Sequence, residues 1–147
     1  MSVDKMRFDK KINKDNVIKE IRDIIEKESV VLFAYLHGSF LENSSYHDID
    51  VAIYLKEEKG ITPLVMQEKE FKLSSMLEQR YRNTRFDVRI LNLAPISFKY
   101  QVIKNGLLLF TKDEEKLTNF EMATIPHYLD FSIYRKRYLR EVLSIGD

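Results

Sequence analysis

The chain has 147 residues, no cysteine, and 24 Lys and Arg residues against 23 Asp and Glu residues. This length suits one domain with a substantial core, and the lack of cysteine excludes disulfides and thiolate metal sites. A near-neutral balance gives no sign of the strongly basic face that nucleic-acid binders carry. No run approaches the roughly 20 apolar residues of a membrane span. We therefore expect a soluble, cytoplasmic, single-domain protein over residues 1–147, without direct contacts to nucleic acid or membrane.

The first half of the chain predicts a helix and two strands. Apolar residues recur at helical spacing over residues 15–27. Residues 30–36 are almost continuously apolar, which is typical of a buried strand. Gly38 and Ser39 then form a predicted turn, and residues 48–55 form the second strand, which opens with two acidic residues.

The second half alternates helices with short strands. In order, we expect a helix over 63–81, a strand over 85–91, a helix over 95–105, an edge strand over 107–110, and helices over 113–123 and 127–143. Gly106, at the end of the third predicted helix, is expected to adopt a left-handed cap. The pattern indicates an α/β (α+β) domain with a small mixed sheet flanked by helices. Residues 15–110 would form its catalytic core, and residues 113–147 its C-terminal helices.

The acidic start of the second strand is the first candidate site. Side chains two apart in a strand share a face, so Asp48 and Asp50 project together while Ile49 enters the core. Two carboxylates about 4 Å apart repel by about 4 kcal/mol at an effective dielectric near 20. A divalent cation between them turns this repulsion into a binding site, and hard oxygen ligands favour Mg²⁺ or Mn²⁺.

A third carboxylate, Asp87, lies in the later β-rich run. There Phe86 and Val88 alternate with Asp87 and Arg89, so Asp87 is expected on the face opposite the aliphatic residues. If this strand pairs beside the first acidic strand, the three carboxylates suffice to hold two metals for in-line attack on a nucleotide α-phosphate. The alternative is that Asp48 caps a turn and that the other two are ordinary edge acids.

The Gly38-Ser39 turn supplies a candidate phosphate site. A glycine after an aliphatic strand lets the backbone approach a ligand closely. The Ser39 hydroxyl and the amides of a following helical turn can then bind phosphate oxygens.

Together, these residues resemble a known family. Gly38-Ser39, a short spacer, an Asp-x-Asp pair at Asp48 and Asp50, and a later acidic strand at Asp87 resemble the nucleotidyltransferase superfamily related to DNA polymerase β. More narrowly, they resemble minimal nucleotidyltransferases, the MntA-type antitoxins that accompany HEPN-domain toxins. The resemblance implies a nucleotidyltransferase-like fold.

The resemblance also implies an activity and its residues. It implies Mg²⁺-dependent transfer of AMP from ATP, bound through Gly38 and Ser39, to a tyrosine of a partner HEPN ribonuclease toxin, which is thereby neutralised. Asp48 and Asp50 would hold the metals, and Asp87 would bind the catalytic metal and help to deprotonate the acceptor. Two alternatives stay open: a nucleotidyltransferase that modifies a small molecule such as an aminoglycoside, and a non-catalytic module that covers a toxin.

Several basic and imidazole side chains stand near these positions. His37 and His47 flank the site and can contact a phosphate or base, although each also fits an ordinary solvated loop residue. Arg89 has the best geometry among the nearby arginines because it shares the strand face of Asp87. The basic residues between 135 and 140 suit either a solvated helix face or a patch that binds triphosphate or a partner.

Overall fold

The structure, a computed structural model, describes residues 14–42, 48–57 and 59–125. In chain order the elements are α1 (Lys14–Glu26), β1 (Val31–His37), α2 (Ser39–Glu42), β2 (Asp48–Leu55), α3 (Pro63–Arg80), β3 (Arg85–Ile90), α4 (Ile96–Asn105), β4 (Leu107–Thr111) and α5 (Glu114–Thr124). His47, the predicted helix over 127–143 and its basic residues lie outside the described residues. No helix within the described ranges is long and apolar enough to cross a membrane.

The four strands form one mixed sheet in the order β3-β2-β1-β4. Strand β1 is antiparallel to both β2 and β4, whereas β2 and β3 run parallel. This arrangement confirms the predicted mixed sheet flanked by helices. It also confirms β4 as an edge strand and the pairing of the two acidic strands.

Helices cover both faces of the sheet. One apolar cluster joins α1 and α3 to alternate strand residues, among them Leu36, Val51 and Val88. A second cluster joins α4 and α5 to the opposite face through Tyr35 and Ala52. Because side chains alternate along a strand, Asp50 and Ala52 share the face of the second cluster. The acidic site therefore lies on the α4–α5 side of the sheet.

Helix α3 covers the outer edge of β3 and satisfies its amides. Three backbone N–H groups of β3 donate to side chains that recur every four residues on α3. The pairs are Phe86 N to Glu78 Oε2 at 2.9 Å, Val88 N to Ser74 Oγ at 3.3 Å, and Ile90 N to Glu70 Oε2 at 2.9 Å. An exposed edge strand invites pairing with another chain, and these side-chain acceptors remove that opportunity along β3.

The predicted boundaries of α1, α3, α4 and α5 agree with the structure to within about a residue. At α3 the expected N-terminal signal operates. Thr62 caps α3 by accepting a hydrogen bond from the Val65 N–H at 3.2 Å, and Pro63 is its first residue. The predicted left-handed cap at Gly106 is wrong, since its φ of −85° and ψ of 166° are extended. The chain passes straight from α4 into β4 here. Glycine is needed for space, because a Cβ would overlap the Val102 carbonyl oxygen.

Candidate active site

The turn after β1 brings the backbone against the carboxylates. Gly38 has a φ of 84°, a left-handed conformation that side chains other than glycine rarely adopt. A Cβ at Gly38 would overlap Oδ2 of Asp50. The four residues of α2 follow, anchored by the fully buried ring of Phe40. The predicted close approach at Gly38 is therefore present, and Ser39 stands exposed at the start of the helical turn.

The acidic residues lie at the starts of two neighbouring strands. Asp48 opens β2 and is exposed, while Asp50 is half-buried and Ile49 between them is fully buried. Strand β3 places Asp87 directly beside Asp50 in the parallel register. On the other side of β2, His37 is the register partner of Asp50. A transverse row across three strands thus contains His37, Asp50 and Asp87.

The carboxylates influence one another electrostatically. Burial raises the pKa of Asp50, repulsion from Asp87 and then Asp48 raises it further, and Arg89 acts in the opposite direction. Burial is the largest cause, and the repulsion adds to it because the strand register sets Asp87 beside Asp50. A bound cation would relieve that repulsion.

Arg89 confirms its predicted place on the face of Asp87. Its Nε lies 3.4 Å from Oδ2 of Asp87, and both side chains are more than half exposed. Such a solvent-exposed pair contributes at most about 1 kcal/mol. The guanidinium also lies over the ring of Phe98, 5.7 Å from its centroid. Arg89 therefore links the carboxylates to the first turn of α4.

His37 is not a solvated loop residue. It ends β1 and is half-buried, and its ring packs edge-to-face with that of Phe98, with the centroids 5.5 Å apart. Burial lowers the pKa of His37, while Asp87 acts to raise it and Arg89 to lower it. Among the described residues, Nε2 of His37 finds no hydrogen-bond partner. The imidazole consequently borders the carboxylates, and its lowered pKa favours the neutral form.

Phe98 was missed by sequence reasoning although it contacts both His37 and Arg89. Its available signal was the helical spacing from Phe98 to the buried Val102, which marks the inward side of α4. Arg82, another arginine close to Asp87 in the sequence, lines a separate depression with Ser75, Glu78 and Gln79 of α3.

The donor set fits a hard divalent cation by its chemistry. Asp48, Asp50 and Asp87 offer carboxylate oxygens, which suit Mg²⁺ or Mn²⁺. In the described part of the chain, no three His, Cys, Asp or Glu side chains are arranged to hold a metal ion. Binding would therefore require these carboxylates to turn toward a common point, and the exposed Arg89–Asp87 pair to loosen.

Comparison with known families decides the class of the fold. A family model described as "Polymerase beta, Nucleotidyltransferase" matches residues 19–115, which is more than half of the chain. The chain belongs to this family. The match spans the Gly38-Ser39 turn and all three candidate carboxylates, as the sequence resemblance predicted. Among curated proteins, none is significantly similar to this nucleotidyltransferase.

Solved structures share the nucleotidyltransferase fold. A chain from a toxin-antitoxin crystal structure with AMP-PNP superposes with a TM-score of 0.60 at 20% identity, covering 87% of this chain and 98% of that one. A chain from the complex of a tri-AMPylated Shewanella oneidensis HEPN toxin with an MNT antitoxin gives 0.53 at 24% identity, covering 91% and 98%. An MntA-HepT complex gives 0.52 at 23% identity, covering 90% and 97%. At these identities the likeness establishes the fold.

Proposed function

We propose that this nucleotidyltransferase is an MntA-type antitoxin that transfers AMP from ATP to a tyrosine of a cognate HEPN ribonuclease toxin and thereby neutralises it. The observation that carries the proposal is the pairing of Asp50 with Asp87 on parallel strands, directly against the Gly38 turn. Structural neighbours support the choice of partner, since they come from toxin-antitoxin complexes, one with AMP-PNP and one with an AMPylated HEPN toxin. We further propose that the protein acts in the cytoplasm as a single domain over residues 1–147.

The Gly38 turn and β2 form the side of the site that would bind the nucleotide. Gly38 and Ser39 lie at the end of β1, where exposed backbone amides and the Ser39 hydroxyl can bind the phosphates of ATP. Asp48 and Asp50 lie on the next strand. The nucleotide α-phosphate would then stand over β2, between the Gly38 turn and Asp87.

The side of the site formed by β3 would receive the acceptor tyrosine. The tyrosine oxygen attacks the α-phosphorus, a new P–O bond forms, and the bond to the β-phosphate breaks to release pyrophosphate. Asp87, across from the Gly38 turn, helps to remove the proton of the tyrosine hydroxyl. Asp48, Asp50 and Asp87 would hold Mg²⁺, which when bound neutralises the charge of the triphosphate.

The test follows labelled phosphate from ATP to protein. The chain is incubated with Mg²⁺, its proposed HEPN partner, and ATP labelled at either the α- or the γ-phosphate. We expect label on the partner from α-labelled ATP only, and a loss of at least about 100-fold in Asp48→Asn/Asp50→Asn. Asp23→Asn, an exposed acid on α1, is the matched control and should keep full activity.

The other outcomes separate the competing functions. Transfer from γ-labelled ATP would indicate a kinase and refute the proposal. A tight complex without transfer would favour a non-catalytic toxin-binding module. Absence of both would favour a small-molecule acceptor such as an aminoglycoside.

A further inference from the structure

A groove of about 670 Å³ opens between the first half of α3 and the start of α4. Its volume falls in the range of small-molecule and cofactor sites, about 300–1,000 Å³. Its lining includes Leu64 of α3, Arg89 of β3, and Leu93 and Phe98 around the start of α4. We call this feature the α3–α4 groove.

The α3–α4 groove is continuous with the carboxylates. Arg89 lines the groove and also pairs with Asp87. Phe98 lines it as well, and the ring of Phe98 touches His37 at the end of β1. An occupant that extends along β3 from the groove therefore reaches Asp87 first.

The order of strands puts the groove on the acceptor side of the site. The Gly38 turn follows β1, Asp48 and Asp50 lie on β2, and Asp87 lies on β3. If the phosphates of ATP bind at the Gly38 turn, as the proposed function requires, the acceptor hydroxyl approaches from β3. The groove lies at that strand.

The walls of the groove select an apolar occupant. Leu64 is 64% exposed and Leu93 is 68% exposed, although leucine side chains gain about 1.5–3 kcal/mol from full burial. The amides of β3 facing α3 already donate to α3 side chains, so the occupant cannot add a strand there. We therefore expect its side chains to make the contacts with the groove.

Resting on the proposed function, we propose that the α3–α4 groove is the docking site for the acceptor protein, which inserts apolar side chains that neighbour its target tyrosine. Docking there directs the hydroxyl toward Asp87. It also gives Leu64 and Leu93 a role in selecting the acceptor, separate from the chemistry of the carboxylates.

The experiment measures steady-state transfer to the proposed HEPN partner by Leu64→Glu and Leu93→Glu. We expect the KM for the partner to rise at least about tenfold, while the KM for ATP stays unchanged. Met122→Glu is the control, because Met122 is 46% exposed on α5 and does not line the groove. Leu93→Ala adds no charge and should give a smaller rise. Thermal unfolding of each variant verifies that it is folded.

Failure of the groove is distinguishable from failure of the proposed function. If the wild-type chain transfers AMP and both glutamate variants keep its KM for the partner, the assignment of the groove is refuted and the proposed function stands. A rise in the KM for ATP would assign the groove to the nucleotide and would likewise overturn the inference. If the wild-type chain transfers no AMP to the partner, the proposed function fails and the groove assignment fails with it.

Discussion

Replacing Gly38 by alanine tests whether the turn is fitted to Asp50. The substitution reduces folding stability in two separate ways, which we treat as two costs. The φ of 84° at Gly38 costs an alanine about 1–2 kcal/mol. In addition, the new methyl group would overlap Oδ2 of Asp50 and lie 3.1 Å from its Cγ, so the carboxylate must leave its position. Forcing such a side chain off its preferred rotamer costs about 0.5–1.5 kcal/mol.

Gly60 is a matched control for the first cost. Its φ is 90°, and a Cβ there would meet nothing within 4 Å. Urea unfolding should show Gly60→Ala destabilised by about 1–2 kcal/mol and Gly38→Ala by about 1 kcal/mol more. Transfer activity should fall about 100-fold in Gly38→Ala, because a displacement of about 1 Å in a reacting group has that effect. It should be retained in Gly60→Ala.

A double-mutant cycle can show why Gly38→Ala is more destabilising than Gly60→Ala. In an Asp50→Ala background the carboxylate is gone, and the new methyl group would meet no atom closer than the Cβ of residue 50, at an ordinary 3.5 Å. The cost of Gly38→Ala should then fall to that of Gly60→Ala. An excess that persists without the carboxylate, or equal costs for Gly38→Ala and Gly60→Ala in the wild-type background, would refute the proposed contact.

Two further predictions concern stability. The folded-state pKa of Asp50 is raised above its ordinary 3.8, so ionisation of Asp50 opposes folding as the pH rises through the folded-state pKa. Asp50→Asn should therefore stabilise the protein at pH 7 by up to about 1 kcal/mol, a figure reduced because the side chain is partly exposed. Thermal unfolding should show this gain shrinking as the pH falls through the raised folded-state pKa and vanishing below the ordinary 3.8, and a pH-independent gain would contradict it. The Tyr35 hydroxyl donates to Oε2 of Glu121 at 2.5 Å, so Tyr35→Phe should cost about 2 kcal/mol, or about 4–8 °C in Tm. Tyr54→Phe, which removes an exposed 3.0 Å bond to Glu57, should change Tm little.

The carboxylates could be assigned to one face from sequence because strand alternation is a local property. Over β3 the exposed residues Arg85, Asp87 and Arg89 alternate with buried apolar ones, as a period of two requires. The prediction that the three carboxylates form one site, in contrast, had to assume that β3 pairs with β2. Pairing depends on contacts between segments distant in the chain, which no local pattern contains.

The groove and the surroundings of His37 could not be predicted for the same reason. The groove is assembled from α3, β3 and the start of α4, and His37 meets Phe98 across 61 positions of the sequence. Gly106 shows a subtler failure. A glycine after a helix is most often a left-handed cap, but here the crowding comes from Val102 and from the carbonyl oxygen of Leu36 on β1. That second neighbour is a tertiary contact.

The packing around the site explains how repelling carboxylates keep their positions. Asp50 is followed on β2 by Val51, Ala52 and Ile53, each with no exposed surface, and these residues pack on both faces of the sheet. On the opposite side of the turn, the fully buried Phe40 fixes α2. Burial of these apolar groups offsets the repulsion at Asp50. The backbone that carries Asp50 is thus fixed before any ligand binds, and rotation of side chains alone would bring the carboxylates toward a common cation.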